Sequence, residues 1–129
     1  MRLDVFALVL GGLSFLGFGA LMLVAPQAVM ASLGLILPDG VPTTEIRAFY
    51  GGLELGLGAL LLAAVAVPAH RPYALVLGAV SYGAIGLTRA LAMWVDSSSS
   101  QFLWIALATE LGLSAICVLA RLRRYRNTT

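Results

Sequence analysis

Four stretches of the chain are each long and apolar enough to cross a lipid bilayer as a helix. The hydrocarbon core is about 30 Å thick and an α-helix rises about 1.5 Å per residue, so a span needs roughly 20 mostly apolar residues. Strands of an outer-membrane barrel would instead alternate over about 10 residues. Helices are the remaining way to satisfy the backbone in lipid. The four predicted spans are residues 5–25, 44–67, 73–95 and 101–120.

These spans account for most of the chain, so we predict a single integral membrane domain over residues 1–129, an all-α bundle of four transmembrane helices. Composition agrees, because 60% of the residues are hydrophobic and only 11% are charged, whereas soluble domains average about 25% charged residues. The first span follows Arg2 and could be taken for a signal peptide. Its apolar run exceeds the roughly 7–15 residues of a cleaved signal, so we expect it to stay in the mature protein.

The distribution of charge predicts an orientation. All eight cationic side chains are arginines, and four of them lie within residues 121–126, directly after the last span. The positive-inside rule places this end in the cytoplasm. Arg2 and the loop 68–72 then fall on the same side, whereas Asp39 and Asp96 lie on the other. We predict a multi-pass protein of the cell (inner) membrane with both termini cytoplasmic.

The basic tail also bears on partners. A net charge of +2 is better explained by a topology anchor that attracts anionic lipid headgroups than by nucleic-acid binding. We therefore predict membrane lipids as partners and no nucleic acid. The single cysteine, Cys117, excludes an intrachain disulfide and has no second cysteine near it to form a metal site. We predict no metal and no cofactor.

Two shifts of the sequence onto itself reveal similar segments. A shift of 67 places residues 7–11 over residues 74–78, both reading Ala-Leu-Val-Leu-Gly, and places Phe15 over Tyr82. A shift of 56 places residues 54–59 over residues 110–115 and aligns a glutamate with a glutamate. The matches occur in the same order along the chain, which favours an internal duplication.

The duplication predicts two helical hairpins, residues 5–67 and residues 73–120. Each unit crosses the membrane twice, so the copies are parallel repeats related by a pseudo-twofold axis along the membrane normal. The first unit has 11 extra residues, the difference between the two shifts. They lie in the first outer connection, where we predict a short interfacial helix over residues 28–37.

Three ionisable residues lie well inside the predicted spans: Glu54, Arg89 and Glu110. A charge at the centre of a membrane helix costs at least about 2.5–3.5 kcal/mol, so such residues are normally paired or face a cavity. Helical rise places Glu54 and Glu110 roughly 14–15 Å from the outer ends of their spans and Arg89 about 9 Å from its own. We expect these side chains to converge in the outer half or near the midplane.

The predicted repeat places Glu54 and Glu110 at equivalent depths, where two bare carboxylates would repel each other. Arg89 is the expected mediator, so that one arginine serves two acids. If Arg47 also reaches the group, the charges balance. If it does not, one glutamate is left without a cationic partner.

Two interpretations of this cluster stay open. One is a buried salt-bridge network that fixes helix register and has no other role. The other is a small polar pocket, open toward the outer side, lined by ionisable and aromatic side chains: Glu54, Arg89, Glu110, Arg47, Tyr50 and Tyr82. Its arginines would contact an anion or a headgroup, its glutamates would accept a proton or a cation, and its tyrosines would form the walls.

A family resemblance is carried by the segment 45–58, which reads Glu-Ile-Arg-Ala-Phe-Tyr-Gly-Gly-Leu-Glu-Leu-Gly-Leu-Gly, together with Arg89 and Glu110. With these residues the chain resembles a family of small bacterial four-helix membrane proteins classed as a domain of unknown function, and is distantly similar to the DoxX-like group. The resemblance spans nearly the whole chain. It implies a four-helix fold in a bacterial cell membrane and supplies no catalytic residue.

The sequence favours a non-catalytic membrane module that binds a lipid or a lipophilic small molecule, or that serves as an accessory subunit of a larger membrane complex. A homo-oligomer is a further arrangement. One alternative is a small proton-coupled transporter acting as an oligomer, since an intramembrane glutamate can exchange a proton for a cationic substrate. Another is a membrane enzyme with a glutamate acid or base. No nucleotide loop, nucleophile elbow or histidine-rich cluster accompanies such a glutamate.

Overall fold

Residues 2–126 are described by a computed structural model, and they are helical throughout apart from short connections. The elements in chain order are α1 (Leu3–Val24), α2 (Pro26–Ser32), α3 (Val41–Ile46), a π-helical segment (Arg47–Gly52), α4 (Leu53–Ala66), α5 (Arg71–Val95) and α6 (Gln101–Arg126). No strand occurs in this part of the chain. Met1 and residues 127–129 of the predicted domain lie outside the described residues.

Four helices are long and apolar enough to cross a membrane, which confirms the predicted all-helical fold with four candidate spans. They are Leu3–Val24, Val41–Ala66, Arg71–Val95 and Gln101–Arg126. The last one continues beyond the predicted span end at residue 120, so the arginines of the tail are helical. This pattern indicates a multi-pass membrane protein.

The second candidate span is a single continuous helix whose middle turn is wider than an α-helical turn. α3 leads directly into the π-helical segment and then into α4. At its end the backbone N–H of Leu53 donates to the carbonyl of Ala48, five residues earlier. π-Helical turns are rare and are frequent at functional sites. Here the wide turn immediately precedes Glu54.

The first connection contains a helix, but a shorter one than the sequence predicts. The prediction covers residues 28–37, whereas α2 is Pro26–Ser32. Proline at the first position of a helix costs no hydrogen bond, which suits the start at Pro26. Gly34 has φ 79°, a left-handed conformation that follows the end of the helix. The position of α2 at the membrane interface stays a prediction.

Glycines allow α1 and α4 to approach closely. A Cβ atom added at Gly58 would lie 2.8 Å from the carbonyl oxygen of Gly12 and 2.9 Å from the backbone nitrogen of Leu16. Small residues at such crossings are a common feature of membrane helix pairs. Gly56, two residues earlier, has no atom within 4 Å of an added Cβ. The face of α4 that carries Gly58 is therefore the packed one.

Gly58→Ala is expected to lower the free energy of unfolding by about 1–3 kcal/mol, because the methyl group would meet the backbone of α1. Gly56→Ala is the matched control, and we expect it to leave stability unchanged or slightly raised, since alanine has the higher helix propensity. Unfolding in mixed micelles with increasing SDS, followed by circular dichroism, measures both. Equal stability of the two variants would contradict the proposed helix contact.

The two hairpins meet at one end of the bundle and diverge at the other. We call the end containing residues 2–4, 66–71 and 121–126 the terminal end, and the opposite one the loop end. The buried residues of α4 are Gly58, Leu61 and Ala64, and those of α6 are Leu113, Cys117 and Ala120. Within the candidate spans Val41–Ala66 and Gln101–Arg126, these residues lie at the middle or toward the terminal end. The hydrophobic core therefore fills the half of the bundle toward the terminal end.

A buried carboxylate ties three parts of the terminal end together. Asp4 of α1 is 5% exposed, and its Oδ2 lies 2.9 Å from Nη1 of Arg124 and 3.5 Å from Nη1 of Arg71. The second Nη of each arginine donates to a backbone carbonyl, that of Pro68 and that of Val65 respectively. α1, the loop before α5, and α6 are thus joined by charge-assisted hydrogen bonds.

Candidate functional site

A cavity of about 740 Å³ lies where the hairpins diverge toward the loop end. We call it the hairpin cavity. It extends from Asp96 and Ser98 in the second outer connection to Phe15 of α1 and Tyr82 of α5. Most of its walls are apolar, and five of the lining side chains are aromatic: Phe15, Phe18, Tyr50, Tyr82 and Phe102. Ligand sites typically enclose about 300–1,000 Å³ with such walls and a few polar groups.

Arg89 and Glu110 form a two-pronged ion pair at the wall of this cavity. The Nε atom of Arg89 lies 2.8 Å from Oε2 of Glu110, and Nη2 lies 2.5 Å from Oε1. The side chains are 27% and 13% exposed. Parallel hydrogen bonds of this kind are among the strongest that arginine forms. The pair joins α5 to α6, so it lies within one hairpin.

Glu54 also lines the hairpin cavity, but without a partner. In the part of the chain that the structure describes, its carboxylate has no hydrogen bond and no ion pair. It also lines a second cavity of about 410 Å³, which shares Phe15, Tyr50 and Ile85 with the first. The structure thus differs from the expectation that Arg89 bridges both acids, because in the described residues its guanidinium pairs with Glu110 and makes no ion pair with Glu54.

Glu54 and Glu110 are nevertheless near each other. Both line the hairpin cavity, Glu54 from the second candidate span and Glu110 from α6. Glu54, Arg89 and Glu110 therefore lie around one cavity, but Arg89 pairs with Glu110 and not with Glu54.

Arg47 does not join this group. It lies at the start of the π-helical segment, and its Nε donates to the carbonyl of Leu23 at 3.1 Å. That carbonyl is in the last turn of α1, where carbonyls have no donor within their own helix. Arg47 lines neither cavity. The charge of Glu54 is thus not balanced by Arg47.

The two predicted tyrosines take different places. Tyr82 is 4% exposed, its hydroxyl donates to the carbonyl of Gly11 at 2.6 Å, and its ring stacks on Phe15 with centroids 4.1 Å apart. It closes the cavity toward the core. Tyr50 is 47% exposed and lines both cavities, so it remains accessible as a wall.

Several lining residues are apolar and were not predicted, because a charge inside a span is conspicuous in the sequence whereas apolar side chains occur throughout every span. Phe18 and Phe102 are the clearest examples, and Asp96, predicted only to lie on the outer side, also lines the cavity. Ser14 and Phe18 are four residues apart, as are Phe102 and Ala106, so each pair lies on one face of its helix. This spacing in α1 and α6 is the sequence pattern from which these lining residues could have been predicted. Within residues 2–126 no group of three or more His, Cys, Asp or Glu residues could hold a metal.

Comparison with known protein families identifies the family of this chain. Residues 5–121 match DUF4345, a domain of unknown function. The chain belongs to this family. The predicted membership in a family of unknown function is confirmed, whereas the likeness to the DoxX group and the bacterial origin stay predictions. No curated protein and no solved structure matches the chain significantly.

The DUF4345 match extends across every residue of the predicted cluster, from Arg47 to Glu110, so the hairpin cavity lies inside the family domain. The hairpin cavity combines two chemical properties. Its aromatic and aliphatic walls can bury a lipophilic body, and its polar centre can fix the orientation of a head group.

Proposed function

We propose that this protein is a small integral membrane protein, with both termini in the cytoplasm, that binds a lipophilic molecule in the hairpin cavity without converting it. The observation that carries the proposal is the cavity itself: apolar and aromatic walls around a small polar centre, at the end where the hairpins diverge. A molecule dissolved in the bilayer would exchange lipid contacts for aromatic ones and gain one specific polar contact.

The arrangement of the polar groups supports binding rather than catalysis. Arg89 and Glu110 hold each other in a two-pronged ion pair, so the carboxylate of Glu110 is engaged with a cation. Among the described residues, Glu54 makes no hydrogen bond to a hydroxyl, thiol or imidazole that could act as a nucleophile. A general acid or base needs such a partner, in hydrogen-bond reach of the reacting atoms.

The proton-coupled transporter gains less support. Between Glu54 and the terminal end, the second span buries Gly58, Leu61 and Ala64. These residues belong to the packed half of the bundle and offer no hydrogen-bonding side chain to a water path. A transporter needs access to its site from both sides of the membrane.

Two equivalent contacts support the proposal that the hairpins are parallel repeats, as the shifts of 67 and 56 indicate. A Cβ atom added at Gly19 would lie 3.1 Å from Cβ of Glu54, and one added at Gly86 would lie 3.3 Å from Cβ of Glu110. Gly19 and Gly86 are related by the first shift, and the glutamates by the second. Each hairpin thus packs its glutamate against the matching glycine.

Ala106→Trp is expected to abolish retention of a bound lipophilic molecule, because Ala106 lines the hairpin cavity and the indole would occupy it. Ala108→Trp is the matched control: Ala108 is exposed on the same helix and lines neither cavity. Native mass spectrometry of each protein, released from lipid nanodiscs, counts the molecules that stay bound.

We expect the wild type and Ala108→Trp to keep one bound amphiphile and Ala106→Trp to lose it. Equal retention by both tryptophan variants would contradict a ligand in this cavity. Co-purification of a second protein with the wild type, and no bound amphiphile in any variant, would favour the accessory-subunit role instead.

A further inference from the structure

We infer that the molecule bound in the hairpin cavity is an amphiphile with a cationic head, such as a protonated amine, held by the carboxylate of Glu54. This inference rests on the proposed function of the cavity and adds the chemical class of the ligand. It follows from which polar groups of the cavity are already occupied and which are not.

The charged groups that line the cavity favour a cation. Three carboxylates, those of Glu54, Asp96 and Glu110, face it together with one guanidinium, that of Arg89. Arg89 neutralises Glu110 through both prongs of its ion pair. Glu54 and Asp96 remain as uncompensated acids of the lining, Glu54 within the bundle and Asp96 at the loop end.

An anionic head is disfavoured by the same contacts. Arg47, predicted as an anion contact, donates to the carbonyl of Leu23 and lies outside the cavity lining. The Nε–Nη2 edge of Arg89 is held by Glu110, which leaves Nη1 for an anion and already offsets the charge of the guanidinium. A carboxylate or phosphate would also be repelled by Glu54 and Asp96, which line the same cavity.

The aromatic walls provide an independent argument. Phe15 and Tyr50 line both cavities together with Glu54, so aromatic rings share the cavity walls with the free carboxylate. Cations are attracted to the faces of such rings, most strongly where water is excluded. An ammonium group would therefore donate a charge-assisted hydrogen bond to the carboxylate of Glu54 and gain cation–π contact with the rings, while its alkyl chain fills the apolar part of the cavity.

The test compares three probes with the same alkyl chain: dodecylamine, dodecanol and dodecanoate. Each is offered to the protein in phosphatidylcholine nanodiscs, with empty nanodiscs as the partition control, and occupancy is read by native mass spectrometry. We expect the amine to bind at least about tenfold more tightly than the alcohol, the gain typical of a hydrogen bond to a charged group. Dodecanoate is expected to bind most weakly.

Glu54→Gln is expected to remove the preference for the amine while dodecanol binding persists. Asp39→Asn, which neutralises an exposed carboxylate of the first outer connection, serves as the matched control and should keep the wild-type ranking. Glu110→Gln frees the fork of Arg89, and we expect it to raise the binding of dodecanoate relative to the wild type.

The outcomes distinguish a failure of the cationic-head inference from a failure of the proposed function. If dodecanol binds and Ala106→Trp removes it, but the wild type does not prefer the amine, the cationic-head inference is overturned and the proposed function stands. If none of the three probes binds the wild type, both are overturned. The ranking in the wild type decides the inference even if Glu54→Gln fails to fold.

Discussion

Replacing Asp4 with alanine is expected to lower the free energy of unfolding by about 2–4 kcal/mol, because two arginines would lose the carboxylate that neutralises them. Asp4 is nearly fully buried, and Arg124 and Arg71 both direct Nη1 at its Oδ2. The Nε atom of Arg71 is itself buried without a hydrogen-bond partner, so this arginine depends strongly on Asp4. The expected loss of unfolding free energy is smaller than for a fully enclosed ion pair, because the arginine side chains are partly exposed.

The control is Asp96→Ala, which removes an exposed carboxylate of the loop end, and we expect it to change stability by less than about 0.5 kcal/mol. Unfolding by SDS in mixed micelles measures both variants. If Asp4→Ala proves as stable as Asp96→Ala, the contacts at the terminal end do not hold the hairpins together.

Glu110→Leu is expected to cost about 3 kcal/mol of unfolding free energy, since the guanidinium of Arg89 would be left half-buried without its two acceptors. Removing both charges should cost far less. When a buried ion pair is replaced by apolar side chains of similar volume, stability is often unchanged or raised. We therefore expect the double variant Arg89→Met, Glu110→Leu to recover most of the loss.

This cycle also separates the two interpretations of the cluster. If the double variant folds, recovers its stability and still binds dodecylamine through Glu54, then Arg89 and Glu110 act as a structural pair. If it folds and loses binding, the pair takes part in the site. Additive losses in the two single variants and the double variant would contradict the direct ion pair between them.

The sequence was sufficient for the architecture because the bilayer imposes it. Four apolar runs of about 20 residues have few alternatives in lipid, so the candidate spans follow from length and composition. The ends of the helices are less predictable. α6 extends to Arg126 because helix propensity and the preference for cations at a helix C-terminus continue beyond the apolar run. Orientation relative to the cytoplasm rests on charge counting alone and stays a prediction.

The proximity of the three intramembrane charges was predictable from the sequence, but their pairing was not. Depth along a helix places Glu54, Arg89 and Glu110 together, since rise per residue is constant. Which acid Arg89 contacts depends on the packing of α5 against α6, and sequence spacing within one helix carries no such information. Arg47 illustrates the same limit, because its acceptor is a backbone carbonyl 24 residues earlier.

Asp4 shows what charge counting overlooks. The positive-inside rule treats the arginines of the terminal end as a topology signal and gives no weight to Asp4, the acid that faces them. The sequence does contain a pattern that could have predicted this contact. Asp4 is a single carboxylate directly before an apolar run, and it lies on the same predicted side as a cluster of arginines. No sequence pattern predicted the π-helical segment Arg47–Gly52, within which Gly51 packs closely against Leu23.

The unequal filling of the bundle has a consequence for its dynamics. Core burial and the Asp4 contacts are concentrated at the terminal end, whereas the loop end holds the cavity. Local opening costs least where few buried contacts must be broken. Backbone amides of α6 near Gln101 should therefore exchange hydrogen faster than those near Cys117, and the cavity can widen to admit a molecule from the bilayer while the terminal half stays closed.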